Sequence, residues 1–156
     1  MPGPCPTGTR TTAPKPSTRA EKALATHKPS TKAKQAQGDK RQKDVAKHIG
    51  GDVSPDNAPM DVTTKTAGVE VKTMVDNGND KITMHPESRR RKEAWAKETG
   101  KKLYTVVIDD RDTFAGGANK AQYSGKKIYV QEGVGAFRIG SMQSVPSFAA
   151  LKGIIS

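Results

Sequence analysis

Cysteine and long apolar runs are scarce in this chain of 156 residues. Cys5 is the only cysteine, which excludes an intramolecular disulfide framework and a cysteine-based metal site and favours a reducing compartment. No stretch approaches the ~20 consecutive apolar residues of a membrane span, and the N-terminus lacks the apolar centre of a signal peptide. These absences predict a soluble, cytoplasmic protein with no membrane partner.

Aromatic residues are also few, and they are unevenly placed. All seven lie at or beyond Trp95, whereas residues 1–40 hold six of the ten prolines and no Val, Ile or aromatic residue. Such a segment cannot bury enough apolar area to offset its chain entropy. We therefore predict a disordered basic arm rich in Pro, Ser, Thr and Lys over residues 1–39, and one folded domain over residues 40–156. The arm is either a linker to another module or a nucleic-acid contact.

Acidic residues are outnumbered, since 27 Lys and Arg stand against 16 Asp and Glu and leave a formal charge of +11. This imbalance favours a polyanionic partner, and we expect nucleic acid. The run ESRRRK places Arg89, Arg90 and Arg91 around a helical turn, which suits phosphate contacts without base readout. Lys81 lies upstream in a short apolar segment and is a further candidate. A solvated helix face explains the arginine run equally well.

Periodicity and turn residues predict a mixed α/β (α+β) single domain with a central mixed sheet flanked by helices. In chain order we expect the following elements: a helix at 40–49 ended by Gly50 and Gly51, a loop at 52–59, a strand pair within 60–74, a turn at 77–80, a short strand at 81–84, a helix at 86–99, a buried strand at 102–110, a loop at 111–125, a hairpin of strands 126–133 and 136–142, and a closing helix at 147–155.

The stretch MDVTTKTAGVEVKTM carries three charges within an alternating apolar pattern. If Val69 and Val71 face the core, Glu70 and Lys72 face the opposite side, and a turn near Lys65 sets Asp61 across from Glu70. Opposed carboxylates repel unless a cation lies between them, and oxygen ligands favour Mg²⁺ or Mn²⁺. This chemistry suits phosphodiester hydrolysis. The alternative is an exposed hairpin whose charges are solvated or paired.

The ordered pattern P-x-D (Pro59 to Asp61) followed by E-V-K (Glu70 to Lys72) resembles the PD-(D/E)XK nuclease superfamily, which includes restriction endonucleases and Holliday-junction resolvases. The resemblance implies a restriction-endonuclease-like fold and a Mg²⁺-dependent nuclease that acts on DNA rather than RNA. It further implies that Asp61, Glu70 and the backbone carbonyl of Val71 bind the metal and that Lys72 acts near the attacking water. Asp44 is the one acidic residue that the first helix offers as a further ligand.

Longer stretches, among them GVEVKT, NDKITMHPESRRRKEAWAK and YTVVIDDR, resemble a phage-associated C-terminal domain attached to phage head-morphogenesis (minor capsid) proteins. This resemblance spans residues 50–155 and implies a phage or prophage setting, with a cytoplasmic or virion-associated location. Phage head proteins or an immunity protein are then possible partners. Two alternatives to the nuclease follow: a non-catalytic DNA- or capsid-binding module of a head-morphogenesis protein, and a delivered nuclease toxin.

Two further residues have two interpretations each, and one charged segment follows the buried strand. Thr73 either reaches a phosphate or closes the hairpin, and His85, just before Pro86, suits a helix start better than a general base. The acidic and basic residues that follow the buried strand, from Asp109 to Asp112, are expected to form a salt-bridged strand exit.

Overall fold

The structure is a computed structural model that describes residues 30–75, 80–111 and 127–155. Its elements, numbered in chain order, are α1 (Thr31–Ile49), β1 (Asp52–Val53), β2 (Val62–Thr63), β3 (Ala67–Met74), β4 (Lys81–Ile82), α2 (Pro86–Thr99), β5 (Lys102–Asp109), β6 (Ile128–Glu132), β7 (Phe137–Arg138), a 3₁₀ turn (Ile139–Ser141), β8 (Gln143–Val145) and α3 (Phe148–Ile154). The molecule is α+β with a mixed sheet, as predicted. None of the helices in the described ranges is long and apolar enough to cross a membrane.

Helix α1 begins at Thr31, before the predicted start at Lys40, and ends where Gly50 adopts a left-handed conformation. The side chain of Ser30 accepts a hydrogen bond from the Ala33 amide at 3.1 Å and so caps the first turn. Apolar spacing did not reveal this polar N-terminal extension because its stability comes from the cap and from Gln37, which donates to Asp110 at 2.7 Å. Residues 1–29 of the predicted arm lie outside the described residues.

The main sheet has six strands in the order β1-β2-β3-β5-β6-β8. Strands β3 and β5 are parallel over their full length, and the other neighbouring pairs are antiparallel. A parallel pair needs a long crossover connection, which here contains α2. The two longest strands therefore form the sheet centre, as the β-branched run in Lys102–Asp109 predicted.

The sheet has two differently covered faces. On the first, the α1 face, buried side chains of α1 and α3 pack against alternate residues of the central strands, including Val69, Val71 and Val106. The second, the α2 face, is covered in two parts. Trp95 of α2 lies over Gly68, where a Cβ atom would come within 2.7 Å of Cη2 of the indole. A small antiparallel sheet of β4 and β7 covers the other part, packing on Met74 and Val107.

Two local predictions were wrong. Residues Asp52–Val53 form an edge strand although their loop-like sequence predicted none, because β2 pairs with them on its outer side. Strand β6 does not form a hairpin with β7 but pairs with β8, while β7 pairs with β4. Gly133 and Gly135 have φ values of 95° and 148°, and these two left-handed positions turn the chain out of the main sheet. The predicted turn at 77–80 and loop at 111–125 lie mostly outside the described residues.

Candidate active site

The β2–β3 hairpin brings together the charged residues singled out in the sequence. Val62 is paired with Val69 and Thr63 with Gly68, and one further step along this register places Asp61 opposite Glu70. Directly opposed residues of an antiparallel pair share a face, and Glu70 alternates with the α1-face residues Val69 and Val71. Asp61, Glu70 and Lys72 therefore meet on the α2 face, as predicted.

Asp61 immediately precedes β2, and its side chain, rather than a backbone carbonyl, accepts the hydrogen bond of the facing β3 amide. Its Oδ2 accepts a hydrogen bond from the Val71 amide at 2.9 Å. Burial and the nearby Glu70 carboxylate raise the pKa of Asp61 from 3.8 to about 6, and the Val71 hydrogen bond opposes this increase. The two carboxylates are thus close enough to disfavour double ionisation.

Glu70 is 6% exposed, but it is not part of the apolar cluster of the α1 face. Its carboxylate is surrounded by charged groups. Lys72 Nζ lies 3.2 Å from Oε2, and Lys92 Nζ lies 3.1 Å from Oε1. The second contact has ion-pair distance without hydrogen-bond alignment, since Oε1 has no hydrogen-bond partner in the described part of the chain. One oxygen of Glu70 therefore keeps its acceptor directions open.

Lys92 also belongs to this site, although in the sequence it is the last residue of the basic run ESRRRK, which predicted a helix surface. It is 8% exposed, and its ammonium donates a hydrogen bond to the Pro59 carbonyl, two residues before Asp61. Arg91, the preceding residue, is exposed and donates to the Asn57 carbonyl. The available signal was the i, i+3 spacing of Lys92 and Trp95, which places both toward the sheet.

The donor set fits a hard divalent cation. Asp61 and Glu70 offer carboxylate oxygens, and the Val71 carbonyl points along the same strand edge as the amide that Asp61 binds. Within residues 30–75, 80–111 and 127–155, no three His, Cys, Asp or Glu side chains come together as a metal-binding group. Two carboxylates are nevertheless sufficient for Mg²⁺, which usually keeps several waters and takes further ligands from substrate phosphates.

The four predicted nucleic-acid-binding residues are dispersed. Lys81 is exposed on β4, opposite Arg138 of β7. On α2, Arg89 forms an ion pair with Glu93 at 3.5 Å, and Arg90 forms one with Glu87. An open groove runs along α2 and is lined by Glu87, Ser88, Arg90 and Arg91, and neither carboxylate of the acidic pair contributes to it.

The minor candidates are structural. The His85 side chain accepts from the Glu87 amide at 3.2 Å and caps α2, as predicted. Asp44 forms ion pairs with Lys40 and Arg41 on the helix that covers the opposite face, and so it cannot join the acidic pair.

Thr73 points to the α1 face because it alternates with Lys72, so its hydroxyl does not reach the acidic pair. Strand β5 ends in a salt-bridged exit, as predicted: Asp109 pairs with Arg111, and Asp110 pairs with Arg41. These two carboxylates therefore have their own cations and are not part of the acidic pair.

Comparisons of the whole chain with models of protein families, with curated proteins and with solved structures find no match.

Proposed function

We propose that the chain is a metal-dependent nuclease that hydrolyses phosphodiester bonds of DNA. One observation carries this proposal: Asp61 and Glu70 are adjacent on one face of the sheet, with the Lys72 ammonium 3.2 Å from Glu70. An acidic pair can hold a metal ion, and a neighbouring lysine can orient a water or a phosphate, which are the groups that metal-assisted hydrolysis of a phosphodiester uses. The surrounding positive charge would attract the polyanionic substrate.

The connectivity around the site supports a restriction-endonuclease-like fold. Helix α1 is followed by three antiparallel strands of the main sheet, β1 to β3, then by the short β4 of the small sheet, by α2, and by β5, which lies parallel to β3. The sequence pattern predicted the third strand at 81–84, whereas the third strand of the main sheet before α2 is β1 and the strand at Lys81–Ile82 belongs to the small sheet. The phage setting, with a head protein or an immunity protein as partner, stays a prediction from the sequence resemblance.

Each residue has a defined task in this proposal. Asp61, Glu70 and the Val71 carbonyl would hold Mg²⁺ or Mn²⁺, which when bound supplies positive charge to a phosphate oxygen and lowers the pKa of a bound water. The Lys72 side chain is 36% exposed, so its ammonium can contact a phosphate or a water from the solvent side. Lys81, Arg89 and Arg90 are exposed and would contact the backbone phosphates.

The test is nicking of supercoiled plasmid by the full chain in Mg²⁺, Mn²⁺ or EDTA. Asp61→Asn, Glu70→Gln and Lys72→Ala should each reduce the metal-dependent rate by about 100-fold or more. Asp44→Asn is the matched control, because it also removes a carboxylate but lies on the opposite face of the sheet. Cleavage equal in all five proteins, or insensitive to EDTA, would contradict the proposal.

A second candidate is a DNA-binding module without catalysis. Lys81 and Arg138 are directly opposed on the small β4–β7 sheet, and this concentration of positive charge would suit a polyanion. This function predicts duplex binding that weakens steeply with salt and is indifferent to EDTA. Retention of that binding by Asp61→Asn and Glu70→Gln, without cleavage by the wild type, would favour it over the nuclease.

A further inference from the structure

Lys92 is a buried lysine that connects the three segments forming the acidic site. From α2 its ammonium reaches the Pro59 carbonyl, which precedes Asp61, and Oε1 of Glu70 at 3.1 Å on β3. Its positive charge also lowers the pKa of Asp61, against the larger increase from burial and Glu70. A buried ammonium is unfavourable unless it is paired, so the acidic pair accounts for its presence under the helix.

The two lysines approach Glu70 from different sides. Lys72 pairs with Oε2 from the more exposed side, whereas Lys92 lies beside Oε1 from beneath α2. Oε1 accepts no aligned hydrogen bond despite this neighbour. Lys92 therefore balances the negative charge of Glu70 but leaves the lone pairs of Oε1 available to bind a metal ion. A divalent cation that binds Oε1 would therefore replace the ion pair between Lys92 and Glu70. Lys92 would keep its hydrogen bond to the Pro59 carbonyl.

We propose that Lys92 is the resident counter-ion of the acidic pair: it holds Asp61 and Glu70 together in the metal-free chain and gives way to a divalent cation at Glu70. The second half of this inference rests on the proposed nuclease function, which supplies the cation. Lys92 is a positioning residue, because its contacts are to Glu70 and to the backbone on the approach to Asp61.

The experiment is thermal unfolding of the full chain, in EDTA and in saturating Mn²⁺, for wild type, Lys92→Met, Glu70→Gln and the double variant. In EDTA, Lys92→Met should lower the unfolding midpoint by about 10 °C, because Glu70 loses a buried charge partner. Glu70→Gln in the Lys92→Met background should restore at least half of that loss. Mn²⁺ should raise the midpoint of Lys92→Met more than that of wild type, and should not raise that of the double variant.

Lys101→Met is the matched control. Lys101 is a partly buried lysine whose ammonium donates to the Thr64 carbonyl at 2.7 Å and lies 5.8 Å from the Trp95 ring centre. No carboxylate contact of its side chain is recorded within the described ranges. Like Lys92→Met, this variant loses an ammonium group and its hydrogen bond to a backbone carbonyl. The change in its unfolding midpoint, however, should be the same with and without Glu70→Gln.

The outcomes separate this inference from the nuclease proposal. A midpoint of Lys92→Met equal to that of wild type in EDTA, or no rescue by Glu70→Gln, would overturn the counter-ion role even if plasmid cleavage persists. Rescue without any response to Mn²⁺ would overturn the exchange with a cation, while the nuclease proposal is decided separately by metal-dependent plasmid cleavage. If Lys92→Met does not fold in EDTA, a folded double variant supports the role and an unfolded one overturns it.

Discussion

The two carboxylates of the site have different surroundings although they lie side by side. Glu70 is compensated by two lysines, whereas among the described residues the Val71 amide is the hydrogen-bond donor to Asp61. The proton that enters such a pair therefore goes to Asp61, whose pKa is raised by burial and by Glu70. Without a bound metal, Asp61 therefore takes up a proton as pH falls through about 6.

This difference predicts a pH dependence of stability in EDTA. Because the pKa of Asp61 is higher in the folded protein than in the unfolded chain, the folded state binds more protons between about pH 4 and pH 6. Its free energy of unfolding therefore falls as pH rises through that window. We expect Asp61→Asn to remove a fall of about 2 kcal/mol, measured as the difference between the two proteins in denaturant titrations at pH 4.5 and pH 7.

Asparagine keeps an acceptor for the Val71 amide, so Asp61→Asn changes the titration without removing that hydrogen bond. If the pair binds metal as proposed, adding Mg²⁺ should reverse the fall above pH 6 in wild type and not in the variant, because the cation would bind the ionised pair. Parallel pH profiles for the two proteins would show that Asp61 does not carry the raised pKa.

At the scale of elements, the site depends on how closely α2 lies on the sheet. Trp95 rests on Gly68, which lies two residues before Glu70 on the same face of β3, and the same helix carries Lys92. A side chain at position 68 would hold the helix away from the strand. The glycine is therefore needed for close approach rather than for an unusual backbone conformation.

Gly68→Ala should destabilise the fold by about 1–3 kcal/mol or more, because the added methyl overlaps the Trp95 ring and the Met60 side chain. Gly140→Ala is the control, since apart from its chain neighbours no atom of the described residues lies within 4 Å of a Cβ added there. Chemical denaturation of both variants measures the difference. A Gly68→Ala protein as stable as the Gly140→Ala protein would show that α2 is not packed on this strand.

At the scale of the whole molecule, a second ionic cluster joins the N-terminal helix to the end of the central strand. Asp110 is fully buried and accepts from Arg41 at 2.6 and 2.7 Å and from Gln37 at 2.7 Å. Burial alone raises the pKa of Asp110, but the hydrogen bonds from Arg41 and Gln37 hold it below its usual value. Arg41 also lies over the Phe148 ring of α3, 5.5 Å from its centre.

Arg41→Met should lower the free energy of unfolding by about 3–5 kcal/mol, because Asp110 would be left buried without its cation. Lys40→Met, which removes an exposed ion pair with Asp44 on the same helix, should cost at most about 1 kcal/mol. Urea unfolding followed by circular dichroism measures both. Equal losses for the two variants would mean that the Asp110 cluster does not hold α1 to the sheet.

The hairpin and its charged face were predictable from local sequence. Alternation around Val69 and Val71, with the polar break at Lys65, set the register that places Asp61 opposite Glu70. The helix at Pro86–Thr99 was equally accessible, because its cap, its proline and its terminal glycine lie within the segment itself. Period and turn chemistry are properties of neighbouring residues, and they need no knowledge of the fold.

Pairings between distant segments were decided only by the tertiary structure. The short strand at Asp52–Val53 exists because β2 offers it an edge, and β7 leaves the predicted hairpin because β4 and the apolar side chains beneath it provide a better partner. Lys92 looked like one more solvent-facing cation in a basic run. It became part of the site because Trp95 packs on Gly68 and turns that side of the helix toward Glu70. Sequence alone thus determined which residues alternate on each strand, and packing determined which charges share a buried volume, because burial depends on contacts between segments far apart in the chain.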